Sequence, residues 1–155
     1  MKTVRSTLVK SPTKASTGIP GFDEITGAGL PRGRTMFVSF DSDGSEVIRN
    51  LASVGIRLNG YVKNGALRMI SARTIAGSAE TYLLRIKTLA KKHRARCLVI
   101  DPVSTLSKSG NEFAAHSVVE RLIEWSKADG ITLLCTSLLD EMSGQTERGS
   151  PTSAA

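Results

Sequence analysis

Only two cysteines, Cys97 and Cys135, occur in 155 residues. Two are too few for a disulfide framework. Both lie inside apolar runs, so they read as buried, reduced thiols of a cytoplasmic protein. No apolar run approaches the roughly 20 residues that a membrane-spanning helix needs. Residues 1–16 are basic and hydroxyl-rich with no apolar stretch behind them, so no secretory leader is expected. Aromatic residues make up 5% of the chain, which leaves few rings for stacking on bases. The two histidines, His93 and His116, are far apart and lack neighbouring cysteines or carboxylates, so no metal set is expected from them. No Gly-Lys pair occurs anywhere, so the phosphate-binding loop G-x-x-x-x-G-K-[ST] is absent.

What is present suits one globular domain, with 40% hydrophobic and 23% charged residues. The formal net charge is +7. A basic chain can meet a polyanion. Its one dense run, however, is Lys91, Lys92, His93, Arg94 and Arg96, where a helix is expected to end and cations complement the helix dipole. No aromatic flanks the run. It therefore reads as a solvated helix end, and nucleic acid is not expected as a partner.

Residues 1–16 read as a flexible lead and 140–155 as a polar, disordered tail, leaving 17–139 as the folded domain. Residues 17–33 are rich in glycine and proline, which predicts loop with one helical turn at 22–26. The apolar run TMFVSF at 35–40 predicts a buried strand ending in a tight turn at Asp41–Gly44. Ser45 is expected to cap a helix to about Leu58, with Val47, Ile48, Leu51 and Val54 inward. Strands are expected at 67–71, 97–100 and 131–135. Helices are expected from Ser78, with Leu83, Leu84, Ile86, Leu89 and Ala90 inward, and over 112–127, with Phe113, Val119, Leu122 and Ile123 inward. Strands alternating with amphipathic helices predict an α/β fold of three layers, with a mainly parallel sheet of about four strands. In such sheets ligands sit beyond the strands' carboxyl ends, where Asp41, Ser42, Asp43, Asp101, Ser104 and Ser137 fall.

An apolar strand that delivers one aspartate, LVID at 98–101, has the Walker B pattern, whose carboxylate holds Mg²⁺ beside nucleotide phosphates. The same pattern also arises where an aspartate simply caps a turn before a proline, as at Asp101–Pro102. The glycines at 27–33 precede a strand and have the wrong spacing for a phosphate cradle, so they read as a structural turn.

Longer motifs carry a resemblance. TGIPGFDEITGAGLPRG at 17–33 resembles the segment leading into the ATPase core of the KaiC family, within the RecA-like P-loop group. FVSFD at 37–41 with EVIRN at 46–50 resembles the family's strand ending V-S-F-E-E and its following helix. RCLVIDPVSTL at 96–106 with GNE at 110–112 resembles its Walker B strand and loop. The resemblance implies a partial RecA-like core from a family of ATPases and circadian-clock-type autokinases that use ATP and Mg. It implies KaiC-like subunits or clock and signalling proteins as partners. It also implies Asp101 as the metal-side carboxylate. The family's adjacent acidic pair falls on Asp41 and Ser42, which leaves Asp41 as the catalytic candidate, since a serine is no base near neutral pH.

In the family, G-L-P-R-G leads into a first strand, the P-loop and a helix before the V-S-F-E-E strand. Here Gly33 runs straight into residues 34–40. One β–α unit is expected to be missing, and the chain ends where the family adds further strands after Ser137. The expected function is thus a degenerate family member with little or no ATP binding or hydrolysis, and a hexamer is not expected. Two alternatives stand beside it. The run FDSDGS at 40–45 resembles the first motif of haloacid-dehalogenase-type phosphatases, with Asp41 as nucleophile and Asp43 as acid/base. The other alternative is a non-catalytic module that binds intact relatives.

Overall fold

The computed structural model describes residues 13–72, 77–108, 112–140 and 145–146. The chain forms two compact units, residues 1–32 and 33–155. In the first, β1 (Lys14–Ala15) pairs antiparallel with β2 (Leu30–Pro31), with α1 (Pro20–Ile25) between them in sequence. Asp23 ties the segment before α1 to the helix. Its carboxylate accepts from the Ser16 hydroxyl at 2.5 Å, the Thr17 amide at 2.9 Å and the Thr17 hydroxyl at 2.7 Å. These donors, the Ser16 hydroxyl foremost, hold its pKa down to about 2. Gly29 closes the unit with φ +100°, and a Cβ there would stand 2.0 Å from the Ala15 carbonyl oxygen, so only glycine fits.

The second unit is built on four parallel strands: β3 (Arg34–Ser39), β4 (Leu67–Ser71), β5 (Ala95–Asp101) and β6 (Thr132–Cys135). Their order across the sheet is β4-β3-β5-β6. The connections carry α2 (Gly44–Ser53), α3 (Asn59–Lys63), α4 (Ala79–His93), α5 (Thr105–Lys108) and α6 (Glu112–Ala128). Beyond the sheet, β7 (Leu139–Asp140) pairs antiparallel with β8 (Gln145–Thr146).

Strand alternation sorts side chains onto two faces. Met36 lies beside Leu98 and Val38 beside Ile100, and all four are wholly buried. They pack with Leu83, Ile86 and Ala90 of α4 and with Val118, Leu122 and Trp125 of α6. Burying one such leucine contributes about 2 kcal/mol. Phe37, Met69 and Val99 point to the other face and are only half-buried. There α2 lies so close to β4 that a Cβ on Gly44 would be 2.7 Å from Met69 Cβ. Helices on both faces make the three-layer α/β architecture expected from the sequence. The layers are unequal. Val47, Ile48 and Leu51 of α2 are half-buried, whereas the α4–α6 side is sealed.

Several local expectations are corrected. The helix after β3 is capped by Asp43, not Ser45, because Asp43 and Glu46 form a reciprocal capping box. It ends at Ser53, and the remaining residues before β4 contain the separate helix α3. Leu83, Ile86 and Leu122 are buried as expected, but Val54, Leu84 and Ile123 are exposed, and α6 turns Val118 inward. Cys97 is buried, but Cys135 at the end of edge strand β6 is exposed. Residues 14–15, within the expected lead, pair with residues 30–31, within the expected loop. Most of the lead and of the 140–155 tail lies outside the described residues. So does the side chain of Phe113. Among the described residues no helix is long and apolar enough to cross a membrane.

Candidate functional site

The carboxyl ends of β4, β3 and β5 are in register, so Ser71, Ser39 and Asp101 stand side by side. Asp101 ends an apolar strand whose core residues hold it in place. The Phe40 amide donates to the Asp101 carbonyl at 2.9 Å, which locks the start of the β3–α2 turn to the end of β5. The Asp101 carboxylate is half-buried and accepts from the Thr136 hydroxyl. Thr136 is positioned in turn by its amide, which donates to the Ile100 carbonyl at 3.1 Å, and by its carbonyl, which accepts from the Val103 amide at 2.8 Å. The Asp101–Pro102 peptide bond is cis.

Sequence reasoning did not single out Thr136. It follows the apolar strand β6, and only the pairing of β6 with β5 brings its hydroxyl to the last side chain of β5. Ser104 is fully buried, and its hydroxyl accepts from the Leu138 amide at 3.3 Å. It therefore braces the β5 and β6 loops.

Asp41 is exposed at the start of the next turn. Topology places it at the same sheet end as Asp101, on the adjacent strand's extension. Ser42 donates its amide to the Ser39 hydroxyl at 3.1 Å, and the turn then enters α2. There the Asp43 carboxylate accepts from the Ser45 amide at 3.2 Å, while the Asp43 amide donates to Glu46 at 3.0 Å. The positive end of α2 is thus closed by the protein's own carboxylate. Asp43, the acid/base of the phosphatase alternative, serves as this cap, and that alternative is not favoured.

The described carboxylates at this end are Asp41, Asp43, Glu46, Glu80 and Asp101. Glu80 is engaged by Arg121 of α6 at 2.6 Å. Among the described residues no group of three or more His, Cys, Asp or Glu side chains is placed to hold a metal ion. A cavity of about 450 Å³ lies along β4, with Asp43, Ser45 and Ser71 at one end and Ile48, Met69 and Arg68 along its wall. It does not include Asp101 or Asp41.

Comparison with known proteins places this geometry. The family model described as "ATPase: KaiC" matches residues 34–151, about three quarters of the chain. A protein described as "Circadian clock protein KaiC2" from a Synechocystis strain is 28% identical over 105 residues, covering 68% of this chain and 18% of that protein. A "Circadian clock oscillator protein KaiC" from a Prochlorococcus marinus strain is 29% identical over 171 residues, covering 83% of this chain and 34% of its own length. The chain thus spans about a third or less of these relatives. The second match is longer than the present chain's part in it. Its 171 positions draw on 83% of 155 residues, about 129, so about 42 positions are filled by the relative alone. With its parallel sheet, its aspartate-ended β5 and the family match over most of its length, this chain belongs to the KaiC ATPase family.

Proposed function

We propose that this chain is a KaiC-family domain that keeps the sheet and the Walker B-like Asp101 but neither grips nor hydrolyses ATP. The observation that carries the reading is the charge and cap at the strands' carboxyl ends. Phosphoryl transfer depends on positioning and on electrostatic stabilisation of the phosphates by lysine, backbone amides and metal. Here five described carboxylates gather, Glu80 holds Arg121, and Asp43 occupies the first amides of α2. These residues do not fit a triphosphate, whose charge they would repel. Asp101 with the Thr136 hydroxyl offers one side of a Mg²⁺ shell, and among the described residues no group of three or more His, Cys, Asp or Glu side chains completes it. The absence of any Gly-Lys pair supports the same reading. The roughly 42 positions of the 171-residue match that this chain leaves unfilled are in keeping with it.

Autokinase activity is not expected, and Asp41 has no bound nucleotide to serve. KaiC-like subunits are the partners this reading leaves, through surfaces not bridged by nucleotide, and co-purification with a full-length relative tests that. The catalytic part is tested by phosphate release with MgATP. The rate should stay at buffer background and should not change in Asp101→Asn. Turnover above background that Asp101→Asn abolishes would sink the reading.

A further inference from the structure

The charges of the second unit are sorted between the two ends of its sheet. The carboxyl ends of the strands carry the acidic set described above. The amino ends carry the opposite sign. Arg34 opens β3, Arg57 and Lys63 lie in the connection that contains α3, and all three are exposed. Lys92 and Arg94 end α4, Arg96 follows on β5, and Lys127 lies in the last turn of α6; these are exposed too. The Asp129 carboxylate, between α6 and β6, is already held by Lys91 at 3.5 Å and by the Trp125 indole at 2.8 Å. Read along the chain, the run at 91–96 is one helix end. The parallel topology adds cations from three other connections to the same end. The helix dipole accounts for Lys92 at the foot of α4, but not for Arg34 and Arg96, which begin strands.

Some of these cations are held in place. The Arg34 guanidinium donates to the His93 carbonyl at 3.4 Å. The Arg96 stem lies across Gly33, where a Cβ would come within 2.6 Å of Arg96 Cγ. Arg94 takes the left-handed cap position with φ 55°, where glycine is the usual residue. At the same end a cavity of about 360 Å³ is lined by Gly33, Thr35, Leu58, Tyr61, Ala66 and Leu67. Its size is within the range of small-ligand sites. Tyr61 is 57% exposed at that cavity. An exposed ring beside an apolar hollow, within a cationic surround, is the arrangement that receives unpaired bases and their phosphates.

We propose that the amino-terminal end of this sheet binds single-stranded nucleic acid, with phosphates on Arg34, Lys92, Arg94 and Arg96 and a base stacked on Tyr61. Val54 and Ile56 are also exposed at this end, so an anionic bilayer is the competing partner. The cavity and Tyr61 favour the nucleic acid, because a bilayer has no use for a base-sized hollow.

The test is fluorescence anisotropy of a labelled mixed-sequence single-stranded oligonucleotide titrated with the full chain over a salt series. With about four phosphates neutralised, log Kobs should fall with log salt at a slope of about −3. Tyr61→Ala should weaken binding by roughly tenfold with little change in slope, since stacking is lost and no charge is. Lys92→Glu should weaken binding and flatten the slope. Arg94→Gly should do the same while the fold becomes no less stable, because glycine suits the left-handed position. That variant separates lost contact from lost folding. Absence of saturable binding overturns the proposal. So does affinity unchanged in both Arg94→Gly and Tyr61→Ala, and so does tighter binding to phosphatidylserine vesicles than to the oligonucleotide.

Discussion

Gly44→Ala tests the packing that positions the candidate site. Gly44 is the first residue of α2 and is buried against β4. Its φ is not in the left-handed region, so alanine is not strained by its backbone. The obstacle is contact: the added methyl would meet Met69 Cβ at 2.7 Å. That atom is rooted in β4 and cannot swing away as a chain end would. Ordinary contact needs at least 3.4 Å, so α2 must lift off the sheet by several tenths of an ångström. Overpacking of this kind costs about 1 to 3 kcal/mol. Replacing glycine in a helix returns at most about 1 kcal/mol. The net expectation is a loss of roughly 1 to 2 kcal/mol, read as a lower midpoint in urea denaturation with an unchanged slope. Met69→Ala should not rescue the variant, because it leaves the Cβ in place. A stability equal to or above that of the starting protein, or full rescue by Met69→Ala, would refute this account of the α2–β4 contact.

Three further outcomes are expected. His93 is buried, with its Nε2 3.1 Å from the Thr35 carbonyl oxygen, and its pKa is lowered, first by burial and then by Arg34 and Arg68 against the opposing Thr35 contact. The unfolded state therefore binds the proton more readily, so stability should fall as pH drops below about 6.5. His93→Gln should remove that part of the slope in urea titrations at several pH values. Asp23 should titrate near pH 2 by NMR, and Ser16→Ala should raise the midpoint because the Ser16 hydroxyl is its principal donor. In a thiol-labelling assay, Cys135 should react in the folded protein. Cys97 should react only on unfolding, since burial both shields it and pushes its thiol pKa up.

The sheet was legible in the sequence because strands buried on both faces read as continuous apolar runs. Residues 67–71 were bounded as they stand, and β3, β5 and β6 within two residues. What escaped was decided by neighbours distant in sequence. Ser45 and Asp43 are both good caps, and the choice fell to Asp43 because Glu46 reaches back to its amide. The inward face of α6 includes Val118 rather than Ile123, because its partner α4 sets the rotation, and a 3.6-residue period tolerates either stripe. Asp101 was placed by its strand alone, whereas Thr136, its hydrogen-bond donor, is 35 residues away and visible only once β5 and β6 pair. The charge sorting between sheet ends was hidden for the same reason. It is a property of parallel topology, not of any one run.

The central claim is that this KaiC-family domain has lost its grip on nucleotide, and isothermal titration calorimetry with MgATP tests it most directly. The expected result is a titration indistinguishable from dilution of ATP into buffer. A saturable heat with micromolar affinity, weakened in Asp101→Asn, would contradict it.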